Sequence, residues 1–347
     1  MSLISALSLA ASAVSQTAIP VADIPKPPTF GDWIVACDNV RSCEGLAAKE
    51  YAGDDWLTMS IKRGAGALDQ PIVVIGPAFS VEVSSGTVRI DGQATSFAID
   101  ARGNFTGDPV EFLQAMARGR KAEVISADGT VIGKLATTGA SAALRWLDDQ
   151  QKRAGTQTAI IATGPKPASA VPPAPALPTI AMPTASTAPP RTLEDAAITA
   201  VKKAGECFGT RGTAEYFRLD AAHSMGIVPC NFGAYQGYSM IVTIREDGAW
   251  SLARLEMARA WPKEWGEMEA WAVSSAVTAN FDPDTRLLSE FAKGRGLADC
   301  GHAAVWAWDG AVFRLASYHE MNECRGTQPD NWPSLWQTAN AQTAIAN

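Results

Sequence analysis

Six cysteines fall as three pairs that are close in sequence: Cys37 with Cys43, Cys207 with Cys230, and Cys300 with Cys324. No other feature limits the fold so much. An even count behind an export leader reads as disulfides formed in an oxidising compartment. Six thiols allow about 15 connectivities, and the sequence-local one is expected. Each such bridge would close a loop short enough to contribute roughly 2–4 kcal/mol by restricting the unfolded chain.

The leader is Leu3–Val14, an apolar, small-residue run ending in Ala11-Ser12-Ala13, which resembles a signal-peptidase site. A signal peptide over 1–13 is expected, with cleavage as late as about residue 18. It lacks the usual basic start, since the first cationic side chain is Lys26. Its positive charge then comes from the α-amino group or from residues upstream of Met1. The run is too short to span a bilayer, which takes roughly 20 apolar residues. No other membrane segment is expected.

A formal net charge of −7 and the absence of any dense Lys/Arg block argue against nucleic acid as a partner. Nine of the chain's 21 prolines lie in 164–190, with Ala, Ser and Thr between them and Lys166 as the one charge. Such a stretch is an extended, semi-rigid linker, long enough that it need not hold its neighbours together. It divides the chain into an N-terminal domain, 30–160, and a C-terminal domain, 191–340.

In the first domain, Trp33, Val35 and Cys37 alternate as in a half-buried strand, and Asp38-Asn39 turns the chain back to Cys43. Strands are expected at 57–62, 71–75, 79–83 and 87–90, with turns at Ser85-Gly86 and Asp91-Gly92. Asp108-Pro109-Val110-Glu111 opens a helix: a capping Asp, then a Pro in the first position. A hairpin at Asp128-Gly129 leads to a second helix over about 141–153, with Lys152 and Arg153 at the favourable end of its dipole. The second domain begins with a helix capped by Thr192, then runs through strands at 215–219, 238–245, 250–255, 271–278 and 286–291. The fold class is therefore α+β, mainly antiparallel β, in two domains joined by a Pro/Ala-rich linker.

The most distinctive run is 294–326. Asp309-Gly310 between two apolar segments signals a two-residue hairpin loop. Trp308 would then face Ala311, and Trp306 would face Phe313. Trp306, Trp308, Phe313 and Leu315 share one face and belong in the core; Val305, Ala307, Val312 and Arg314 make a lighter, partly polar one.

FGDWIVACDNVRSC, ALRWLDDQQKRAGTQTA, VPCNFGAYQ and GRGLADCG…WAWDG…F…ECRG…WPSLW, in that order, together resemble the bacterial exported family known as domain of unknown function 1176. The likeness covers nearly all of the mature chain. It implies a periplasmic or secreted protein of a Gram-negative bacterium with no established activity, so no catalytic residues carry over. Members usually have Gly where this chain has Ala298. The opening W-x-x-x-C…C pattern also looks like invasion-associated locus B proteins, over a few residues.

Three constellations are candidates for chemistry. Ala222-His223-Ser224-Met225-Gly226 is a variant of the nucleophile elbow with Ser224 as the nucleophile, which requires a strand before it and a helix after. Pro229 and Cys230 interrupt any such helix, so a loop is expected. Cys300, His302, His319 and Cys324 have the inventory of a zinc site, but the one-residue gap between Cys300 and His302 is tight, and oxidation favours the disulfide. Eight of the eleven tryptophans lie beyond the linker. Most are expected in the core, whereas Trp261 and Trp265, near Pro262 and several charges, are the candidates for an exposed binding surface. Paired acids such as Asp148-Asp149 are expected to be solvated. No cofactor motif is present. The expected function is a non-enzymatic binding or interaction module whose partner is an envelope protein or glycan; the alternative is an envelope hydrolase using Ser224.

Overall fold

A computed structural model of the protein describes residues 21–49, 55–77, 85–208, 212–260 and 272–341. The leader, the expected strand at 79–83, and Trp261 and Trp265 lie outside the described residues.

The N-terminal half begins with a five-stranded antiparallel meander: β1 (Thr29–Phe30), β2 (Trp33–Cys37), β3 (Cys43–Ala47), β4 (Leu57–Arg63) and β5 (Ile72–Pro77). Next come β6 (Gly86–Ile90), β7 (Gln93–Ile99), α1 (Pro109–Arg118), β8 (Ala122–Ile125), β9 (Val131–Leu135) and α2 (Ala140–Gln150). The second sheet runs β7-β6-β8-β9. Asp91 and Gly92 both take positive φ, 50° and 80°, and close the β6–β7 hairpin as a two-residue loop. Asp108 caps α1 as expected, its carboxylate accepting from Val110 N–H and Glu111 N–H. Both sheets and both helices share one core, in which Trp33, Leu57, Phe112 and Leu144 are fully buried.

Two expectations for α2 are overturned. Asp148 is fully buried, and so is Arg153. The Asp148 carboxylate accepts from Ile160 N–H (2.7 Å), Ile161 N–H (2.8 Å) and Ala162 N–H (2.9 Å). Arg153 turns inward and donates to Ala67 O (2.8 Å) and Gly66 O. Helical spacing alone could not reveal this, because the loops that need these groups are remote in sequence.

The C-terminal half opens with α3 (Asp195–Ala204). Its N-cap is Glu194 rather than Thr192, with no side-chain capping bond. The strands that follow are β10 (Glu215–Arg218), β11 (His223–Phe232), β12 (Gly237–Arg245), β13 (Trp250–Leu252), β14 (Ser275–Val277), β15 (Asn280–Asp282), β16 (Leu287–Lys293), β17 (Gly301–Trp308), β18 (Phe313–Met321) and β19 (Ser334–Gln337). One sheet is β10-β11-β12-β13, with β14 also on β12; the other is β15 to β19 in chain order. Met225, Ile227 and Ile241 of the first face Leu288, Trp306 and Phe313 of the second across a common core, while α3 covers the first sheet's outer side. Antiparallel sheet is thus the predominant regular structure of the described residues, as expected.

The central hairpin differs in register. Trp308 pairs with Phe313 and Trp306 with Leu315, so the loop has four residues. The cause is Asp309, whose carboxylate accepts from both Ala311 N–H and Val312 N–H (2.8 Å each) and draws Val312 into the turn. A displacement of two leaves every side chain on its expected face, and all four heavy residues are in the core. The lighter face is buried as well: Ala307 packs with Leu287 and Ala316, under Ile180 and Met182 of the proline-rich segment.

That segment is extended but docked. Ala339 N–H donates to Pro178 O (2.9 Å), Ile180 exchanges two hydrogen bonds with Asn340, and Arg286 donates to Pro183 O (2.7 Å). The halves also touch directly: Ile34, Leu46 and Ala48 pack on Cys300, Met321 and Trp332.

All three sequence-local disulfides are formed, and no cysteine is free among the described residues. Cys207–Cys230 closes 23 residues and ties α3's end to β11. Replacing both by Ala is expected to cost roughly 3 kcal/mol. Urea unfolding under non-reducing conditions checks this, and an unchanged midpoint would show the bridge to be dispensable.

Candidate functional site

At the far end of the hairpin from its turn, the core face of β16, β17 and β18 becomes polar. Leu288 and Ala292 flank Glu290 on β16, while on β17 the phase of Trp308, Trp306 and Ala304 ends at His302. His302 pairs with Glu320 of β18, and Ala304 pairs with Tyr318 and Glu290. Alternation therefore puts Glu290, His302, Tyr318 and Glu320 on one face, around the small Ala304. A cavity of about 550 Å3 lies there. The segment after β13 supplies its other wall, Leu255 to Ala260, and Val273 and Val277 complete it. The N-terminal lead braces that wall, with Ala22 N–H donating to Met257 O and Ile24 N–H to Ala258 O (2.8 Å each).

Inside, His302 Nε2 lies 2.8 Å from Glu290 Oε1, whose second oxygen accepts from Val277 N–H at 2.7 Å. Arg259 donates to Glu320 Oε2 (2.6 Å) and to Pro25 O (3.0 Å). The Tyr318 ring lies beside both side chains, with the Arg259 guanidinium 5.7 Å and the His302 ring 5.8 Å from its centre. Burial pulls the His302 pKa down, but the hydrogen bond and charge of Glu290 outweigh it, so the net shift is upward. Burial, reinforced by the Glu320 carboxylate, pushes the Tyr318 phenol up.

A raised histidine pKa stabilises the fold below the ordinary value near 6.5, and that contribution disappears as pH rises through the folded-state value. Glu290→Gln should return the His302 pKa to the ordinary value or below, followed by imidazole 15N NMR. It should also flatten the loss of stability above pH ~6.5.

The sequence candidates fare differently. Ser224 is buried at the start of β11, paired with Ile244 on one side and Arg218 on the other. Its Oγ accepts from Arg191 N–H (2.9 Å) and Arg218 (3.3 Å). The strand runs on to Phe232, so neither the expected loop nor an elbow's helix follows it. His223, next in sequence, faces the other way: it bonds Asp220 at 3.1 Å and stands edge-on to Trp308. Cys300 and Cys324 are joined as a disulfide beside Asp299 and so offer no thiolates. His302 and His319 occupy opposite faces of the hairpin, with His319 against Trp332 O. The zinc inventory is not assembled.

Glu290, Arg259, Tyr318 and Glu320 escaped sequence reasoning. A signal existed for Glu290, which interrupts the apolar phase of Leu288 and Ala292, whereas Glu320 reaches this face only through the register shift between Leu315 and Ser317. A second concavity, lined by Phe208, Phe232 and Tyr235, all well exposed, lies by the Cys207–Cys230 bridge.

Comparison with known families matches residues 28–339 to the family described as "Protein of unknown function (DUF1176)". The chain belongs to the DUF1176 family. It is 31% identical over 338 residues to "Uncharacterized protein YpfG" of Escherichia coli (strain K12), covering 90% of this chain and 93% of that protein. No solved structure matches. Family membership therefore supplies no activity. Among the described residues, no helix is long and apolar enough to cross a membrane.

Proposed function

We propose that this member of the DUF1176 family is an exported, disulfide-stabilised binding module of the bacterial envelope, periplasmic or secreted, that works without catalysis. Its ligand, a glycan or part of an envelope protein, sits in the pocket of His302 and Arg259. One observation carries this reading. The cavity combines an apolar lining with a few convergent polar groups, the usual make-up of a ligand site, and its size is within the usual range of about 300–1,000 Å3. Support for export comes from three disulfides, which persist outside the reducing cytoplasm, and from the leader. Nothing in the surroundings of Ser224 favours the hydrolase alternative, since its oxygen is already engaged as an acceptor by Arg191 N–H.

The test is equilibrium dialysis of the mature chain against an envelope extract, with mass spectrometry of what it retains. Ser275→Trp, which places an indole on the cavity lining, is the control. Compounds held by the parent and released by the variant are expected. Equal retention by both would remove the pocket from consideration.

A further inference from the structure

The ionic groups around the pocket already have partners, and this limits what can enter. Arg259 is bonded to Glu320 and His302 to Glu290, while Glu256 accepts from Leu315 N–H (2.8 Å) and lies 3.5 Å from Arg314, whose Nε donates to Asp309 (2.7 Å). Lys26, at the mouth, is exposed to water. An ionic guest would bring one unmatched charge into this partnered set, which is unfavourable away from solvent.

Each pair nevertheless leaves a polar atom unused. Arg259 Nε is buried without a hydrogen-bond partner. Nδ1 of His302 and Oε1 of Glu320 have no partner among the described residues. Arg259, His302 and Glu320 all line the cavity, and a polar group left unmet when a guest excludes water is costly. Hydroxyl groups donate and accept, so a guest with several of them can meet both needs. The remaining lining is apolar, with Trp306, Leu315, Leu255 and Val273. A pyranose has that same division, with C–H faces and a hydroxylated edge.

Resting on the reading of this pocket as a binding site, we infer that its guest is an uncharged, polyhydroxylated molecule, the end of a neutral glycan. Its hydroxyls bond Arg259, His302 and Glu320, and its C–H face lies on Trp306 and Leu315.

The mature chain is titrated with maltose, N,N′-diacetylchitobiose, decanoate and decyltrimethylammonium, and the His302 imidazole signals are followed by NMR. A saturable shift with at least one neutral sugar is expected, with affinity lowered at least tenfold in Ala304→Leu, which fills the centre of the cavity. Glu320→Gln keeps the shape but unbalances the charge. It should weaken the sugar at least fivefold and allow decanoate to bind, and it carries the test if Ala304→Leu lowers the melting temperature. Shifts from decanoate or decyltrimethylammonium alone in the parent chain would overturn the ligand class while leaving the pocket a binding site. No shift from either sugar would also overturn the inference. The dialysis experiment separately decides whether the pocket binds anything.

Discussion

Asp148→Ala is expected to lower the unfolding free energy by about 3–5 kcal/mol, the range for removing one partner of a buried charged group. The melting temperature would fall by roughly 10 °C. The carboxylate satisfies the N–H groups of three successive residues, Ile160, Ile161 and Ala162. It also lies 3.9 Å from Arg63. Burial and the neighbouring Arg153 push the Arg63 guanidinium down to about 10, while Asp148 and Asp69 oppose that shift. Without Asp148, two buried guanidinium groups face each other with less compensation, and three amides lose their acceptor. Asp149 is exposed one position away, so Asp149→Ala should change stability by no more than about 0.5 kcal/mol. Urea unfolding of both variants makes the comparison. Equal effects at the two positions would mean that this buried knot carries no stability.

The second large effect is expected at Arg325, which is 4% exposed. Its guanidinium donates to Ala48 O (2.9 Å) and Gly31 O (3.3 Å) of the N-terminal half, and its Nε to Glu323 (2.8 Å). Beside it, Asp299 accepts from Gly326 N–H (2.7 Å) and pairs with Arg295. Arg325→Leu removes the donor to both carbonyls, at about 1–3 kcal/mol for each buried group left unmet, and leaves the partly exposed Glu323 with the Thr29 hydroxyl as its donor. A loss of about 3 kcal/mol is expected. Hydrogen exchange should quicken at Ile34, Leu46 and Met321, which meet across this seam. Arg325→Lys should recover less than half of the loss, because an ammonium cannot fork to several acceptors. Unchanged exchange at those amides in Arg325→Leu would show that other contacts hold the halves together.

Much of the fold was legible from local patterns. Asp108-Pro109 started α1, Asp91-Gly92 closed a two-residue hairpin, and alternation assigned Trp306 and Trp308 to the core. The failures share a cause. β11 was missed because Pro229 and a register shift between Pro229 and Asn231 break its alternation, and Gly226 sits in mid-strand against Val242 and Tyr216. Ala298 takes the left-handed form, φ 56°, in the loop before Cys300, a conformation that alanine rarely adopts. Of the polar groups around the cavity, the sequence points only to His302, and for a different role.

What the sequence alone determined was set by neighbours along the chain: the cap of α1, the Asp91-Gly92 turn, the phase of Trp306 and Trp308, and the three short-range bridges. These depend on steric and hydrogen-bond preferences that act over a few residues. Only the tertiary structure decided that the run of Asp299 to Gly326 joins the two halves, that the proline-rich segment lies on β17's outer face, and that Glu290, His302, Arg259 and Glu320 meet around Ala304. Such meetings depend on strand register and on which remote loop needs a donor, and a side chain's partner in three dimensions leaves no trace in its immediate neighbours.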